Sequence, residues 1–171
     1  MRSIQAFTAA AAVLALAQPA TARSDRDLVT SVDAAALKEL MLSEGHIVTD
    51  ETPFEMPSVE GKVPGGLTYN MIAADCPEGS RTGCESILMQ VRYDEDASVT
   101  LEAVNTANYN EAAIGTWWDK EGKTLGFTRF VYLKGGVTWL NLRHNIRLLM
   151  DGQTNALNDF APPSPAPANK N

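Results

Sequence analysis

Two runs of strict alternation, each with a cysteine near one end, constrain this chain more than any other feature. Leu67, Tyr69, Met71 and Ala73 share one face of an extended segment, with Thr68 and Asn70 on the other. Ile87, Met89, Val91 and Tyr93 repeat the pattern against Gln90 and Arg92. A period of two sends successive side chains to opposite faces, so both runs read as half-buried strands. Cys76 and Cys84 stand at their adjoining ends and enclose seven residues, Pro77 to Gly83. Antiparallel pairing of the runs brings the cysteines together, which predicts a hairpin closed by a disulfide. Closing so small a loop stabilises a fold by about 2.5 kcal/mol through chain entropy. The C-x7-C spacing lacks the close pair and helix terminus of a redox-active thiol. Two thiols backed only by His46 and His144 make a poor metal site.

A disulfide needs an oxidising compartment, and the first 22 residues supply the address. Met1-Arg2 is a short positive stretch, Ile4 to Ala17 is apolar, and Pro19-Ala20-Thr21-Ala22 offers a small-x-small site. This is the layout of a secretory signal peptide cleaved after Ala22. A bilayer span needs about 20 apolar residues, and Gln18 and Pro19 interrupt this run. The chain is therefore expected in the periplasm or secreted, with no membrane span after cleavage. Its 14 Lys+Arg against 21 Asp+Glu give a formal charge of -7. Phosphate backbones require a basic face, so a nucleic-acid partner is not expected.

Residues 23–30 are polar and read as a flexible lead-in. Residues 31–154 suffice for one core, and residues 155–171 read as a Pro-rich disordered tail, a frayed end rather than an envelope tether. Ala34, Leu37, Leu40 and Met41 have helical spacing, with Asp33 as cap and Gly45 as stop. His46 to Thr49 reads as a strand. Glu55 to Val63, punctuated by Pro57 and Gly61, is at most an edge strand. A helix is expected over Thr100 to Asn108, with Leu101 and Val104 inward. Ala113 to Trp118 and Leu125 to Leu133 form a hairpin. The last helix runs from Thr138 to Met150 on the stripe Trp139, Leu142, Ile146 and Leu149, with Gly152 as its cap. The expected architecture is α+β: three helices and a mainly antiparallel sheet of about five strands, in the order α-β-β-β-α-β-β-α.

No catalytic constellation emerges. Gly79-Ser80-Arg81-Thr82-Gly83 places its serine one position early for a nucleophile elbow. Gly135-Gly136 lacks the lysine of a phosphate loop. Arg143 and Arg147, on either side of His144, read as a solvated helix edge. No cofactor or metal site is expected. One group asks for a role: Phe130 and Tyr132 point away from the face of Leu125, Phe127, Val131 and Leu133, which Arg129 interrupts. Adjacent Trp117 and Trp118 point to opposite faces. If helices cover only one face of the sheet, Trp117, Phe130 and Tyr132 form a partner surface on the other; the alternative is that another helix or the Pro-rich segment Pro53 to Pro64 covers that face.

Several of these features together resemble the YbjN family of bacterial proteins, described as sensory transduction regulators. The resemblance runs from about Val32 to Met150. Its carriers are the helix ending in Gly45, the Cys76–Cys84 hairpin and Asn105-Thr106-Ala107-Asn108. The segment Trp117 to Lys123 and the strand closing on Gly135-Gly136-Val137 complete it. The family commonly has an aromatic residue where Ala107 stands, so Tyr109 or Trp118 is expected to fill that space. The resemblance implies a fold similar to the type III secretion chaperones, often paired as homodimers, and a non-catalytic binding or regulatory role. Asn105, Asn108, Gly135 and Gly136 are its motif residues. Asn105 and Asn108 lie near one helix face and are expected to fix that helix to the sheet. The expected function is a protein- or peptide-binding module of the periplasm. The alternative is an enzyme or small-ligand binder whose site has no sequence signature.

Overall fold

The computed structural model describes residues 23–94 and 98–160. The leader and residues 161–171 of the expected tail lie outside the described residues. The chain runs β1 (Leu28–Val29), α1 (Ala34–Ser43), β2 (Ile47–Asp50), β3 (Ser58–Lys62), β4 (Thr68–Ala74) and β5 (Ser86–Asp94). It continues with α2 (Leu101–Asn110), β6 (Gly115–Asp119), β7 (Thr124–Tyr132), β8 (Val137–Thr138) and α3 (Trp139–Ala156), and ends in a 3-10 turn, Leu157–Phe160. The main sheet has six strands, one more than expected, in the order β2-β3-β4-β5-β7-β6, all antiparallel. Three helices against an antiparallel sheet make the α+β class that the periodicities predict.

The two alternating runs pair as the hairpin β4–β5, with Met71 opposite Met89 and Ala73 opposite Ile87. Tyr69, Met71, Ala73, Ile87, Met89, Val91 and Phe127 are fully buried. Together with the inner faces of α1 and α3 they form one core. Each helix begins at a side chain that accepts an otherwise orphaned N–H: Asp33 from Ala36, Thr100 from Ala103 and Thr138 from Asn141.

Cys76 and Cys84 are bridged, with an S–S distance of 2.04 Å. Cys84 also exchanges both backbone hydrogen bonds with Val32, at 2.9 and 3.0 Å. The bridge thus holds the hairpin end to the chain entering α1. Replacing both cysteines by serine is expected to lower the unfolding free energy by about 2.5 kcal/mol. Denaturant midpoints with and without reductant measure this. A variant whose midpoint matches the oxidised protein would show that the link constrains nothing.

Several expectations need correction. β3 is interior, between β2 and β4, not an edge. Its Gly61 is required by a close approach: a Cβ there would sit 1.9 Å from Met41 Sδ on α1. Leu101 is 69% exposed, and α2 turns Val104 and Ala107 inward instead. Gly152 does not end α3 but lies inside it, where Ile114 packs within 3.2 Å of the space a Cβ would take. The helix continues to Ala156, and Phe160 beyond it is buried. Residues 155–160 therefore belong to the domain rather than to a tail. The lead-in is docked as well: β1 pairs with β8, Val29 is buried, and the Arg23 guanidinium stacks 4.9 Å from the Trp139 ring centroid.

Candidate binding face

All three helices pack on the side of the sheet that carries Tyr69, Met89 and Phe127. The register sorts the other side into rows across the strands. One row is Ser58, Ile72, Leu88 and Phe130; the next is Glu60, Asn70, Gln90, Thr128 and Gly115. Arg92, Gly126 and Trp117 form a third, and Ala74, Ser86 and Tyr132 a fourth. Much of this side is itself buried: Ser58, Ile72, Asn70, Gln90 and Ser86 are covered, and the segment before β3 lies against Ser58. There Phe54 N–H donates to Ser58 Oγ at 3.2 Å, and Ser58 Oγ donates to the Met56 carbonyl at 2.9 Å.

Phe130 and Tyr132 are 53% and 52% exposed. Both lie on one strand, beside the partly buried Leu88, and form an aromatic patch that no helix among the described residues covers. Trp117 behaves differently. Its indole lies flat over Gly126, where a Cβ would come within 2.1 Å of the ring, and the Arg92 guanidinium stands 5.6 Å from its centroid. Trp117 therefore forms a fixed floor beside the patch. Its Nε1 and the Oδ1 of Asn70 are buried on this face without a hydrogen-bond partner among the described residues. Trp118 points to the helical side beside Leu125, as adjacency requires, with Lys120 Nζ 5.9 Å from its ring. Leu88 is partly buried beside the patch, and Ile72 and Gly126 are buried beneath this side of the sheet. Their only trace in the sequence is apolar or small residues where strict alternation asks for polar ones.

The family motif residues are separated by the structure. Asn108 Nδ2 donates to the Thr116 carbonyl at 2.9 Å, and Asn108 Oδ1 accepts from the Thr116 N–H at 2.8 Å. The side-chain amide therefore occupies the outer edge of β6 as a neighbouring strand would, and it ties α2 to the sheet. Asn105 is exposed and makes no such bond among the described residues. Gly135 and Gly136 have φ of +92° and +96°, a left-handed turn that an L side chain resists. Arg143 and Arg147 do not form a solvated edge: both bind Glu44 at the end of α1, whose side chain is 5% exposed. Among the described residues no group of three or more His, Cys, Asp or Glu could hold a metal. Nor is any helix there long and apolar enough to cross a membrane.

No family model and no curated protein matches the sequence. Solved structures do. The chain is similar to YbjN from E. coli, described as a proposed transcription regulator, at a TM-score of 0.58 and 13% identity. That match covers 76% of this chain and 91% of that one. The fold is YbjN-like. A second match is to a chain in the structure of the HopA1–SchA chaperone–effector complex, at a TM-score of 0.52 and 9% identity. It covers 72% of this chain and 91% of that one. The YbjN-like frame places the helices together on one side and leaves the other for the aromatic patch.

Proposed function

We propose that this chain is an exported, non-catalytic binding module that holds an extended protein or peptide partner on the open face of its sheet. The observation that carries the reading is the half-exposed pair Phe130 and Tyr132 beside Leu88 on the side of the sheet away from the helices. Clustered aromatic side chains supply much contact area at low entropic cost and are enriched in partner surfaces. The chaperone–effector structure among the similar folds fits a protein partner. The signal-peptide layout and the Cys76–Cys84 bridge fit an oxidising compartment. Asn105, whose side chain is free of the sheet, does not enter the proposed surface. A homodimer through the same patch is the form this binding takes if no other partner exists.

The test compares the oxidised protein with the double variant Phe130→Ser, Tyr132→Ser. Light scattering reads the oligomeric state, and crosslinked capture from periplasm reads partners. The wild type is expected to form a dimer or retain one recurrent partner, and the variant to lose it while keeping its melting temperature. Equal capture and equal mass for the two proteins would remove the patch from the function. The small-ligand reading also has one observation in its favour, a cavity on the helical side of the sheet.

A further inference from the structure

Between α3 and the β3–β4 hairpin lies an open cavity of about 640 Å³. It sits on the helical side of the sheet, away from Phe130 and Tyr132, so nothing about it depends on the partner surface. Leu67, Ile146 and Met150 contribute its apolar wall, and His46, Arg147 and Asp151 contribute polar groups.

The hydrogen bonds show which polar groups remain available. Glu44 is saturated by Arg143 and Arg147. Gln153 is engaged with Tyr93, the Met150 carbonyl and Thr154, so these groups are wall rather than contacts. Arg147 spends Nε and Nη2 on Glu44, and its Nη1 makes no hydrogen bond among the described residues. His46 Nδ1 lies 2.8 Å from the hydroxyl of Tyr69, a residue with 0% exposure. That hydroxyl has no other partner among the described residues, and a buried donor left unpaired is costly. Tyr69 therefore donates to Nδ1, which leaves the ring proton on Nε2 at the opposite edge of the imidazole. Burial also holds the His46 pKa below its ordinary value, so the ring stays neutral in this role. Asp151 forms no ion pair or hydrogen bond among the described residues, although Arg147 lies one helical turn before it.

The lining thus combines two donors, His46 and Arg147, with a carboxylate, Asp151, and an apolar wall of Leu67, Ile146 and Met150. Residues four apart on a helix are separated by about 5–6 Å between Cβ atoms. That spacing suits a small molecule carrying both charges on neighbouring atoms. We infer that this cavity binds a free apolar α-amino acid. Its carboxylate sits against His46 Nε2 and Arg147 Nη1, its ammonium against Asp151, and its side chain against Leu67, Ile146 and Met150.

The test is a methyl-NMR titration of the disulfide-bonded protein with L-leucine, L-leucinamide and N-acetyl-L-leucine. Leucine is expected to shift the Met150 and Ile146 methyls saturably. Each blocked analogue is expected to bind about tenfold more weakly, the change that one lost charge contact of 1.4 kcal/mol produces. Asp151→Asn, at an exposed and unpaired position, is expected to weaken leucine about tenfold while leaving N-acetyl-leucine and the melting temperature unchanged. Absence of methyl shifts, equal binding of either blocked analogue, or equal leucine binding by Asp151→Asn would each overturn the assignment.

Discussion

Replacing Phe127 by alanine is expected to destabilise the protein by about 3–5 kcal/mol, the range for truncating a buried aromatic side chain. Phe127 has 0% exposure and lies on β7, which is paired on both sides. Its ring meets Tyr93 edge to face at 6.0 Å and Phe160 at 6.3 Å. Tyr93 in turn donates to Gln153 Oε1 on α3 at 2.6 Å. One ring therefore joins the centre of the sheet to the last helix and to the turn beyond it. Domain stabilities are about 5–15 kcal/mol, so this loss removes about a fifth or more of the total. Urea unfolding should show a lower midpoint at unchanged slope. A cost below about 1 kcal/mol would mean that residues 157–160 do not pack on the sheet as described.

What could be read from residues alone follows a physical division. β4, β5 and β7 were legible because one face of each is core, so alternation survives in the sequence. α1 and α3 were legible by stripe and cap. β3 was hidden because Pro57 and Gly61 read as breakers, and the reason for Gly61 is Met41, twenty positions earlier. Gly152 read as a stop signal for the same reason, since its purpose is to admit Ile114. β1 docks through backbone bonds to β8, which demand no particular side chains. Phe130 and Tyr132 could be placed on the open face by adjacency to core positions. The capture of Trp117 by Gly126 could not, because it depends on the β6–β7 register. The cavity was out of reach altogether. It draws residues from α1 to α3 with no local spacing in common.

The same division makes Glu44 worth testing, because nothing near it in sequence marks it. Replacing Glu44 by glutamine is expected to cost about 2–3 kcal/mol at neutral pH, the loss of charged hydrogen bonds to partly buried partners. Its carboxylate accepts from Arg147 Nε at 2.7 Å and Nη2 at 3.1 Å, and from Arg143 Nε. Arg147 is half exposed and regains water when Glu44 is lost, which keeps the cost below that of a fully buried pair. Burial alone would raise the Glu44 pKa, but the two arginines outweigh it and hold it below the ordinary 4.5. A carboxyl with a lowered folded pKa stabilises fully above its unfolded value. That contribution is lost as pH falls from about 4.5 through the folded pKa. His46 adds a second step: burial lowers its pKa, against a smaller opposite effect of Glu44, from an ordinary 6.5. The unfolded chain binds that proton first, so stability also falls as pH drops below 6.5. Wild-type melting temperature should thus decline in two stages on acidification. Glu44→Gln should abolish the lower stage and keep the upper one. A variant that retains the decline below pH 4.5 would assign the acid transition to other carboxylates and leave the α1–α3 clasp without an electrostatic role.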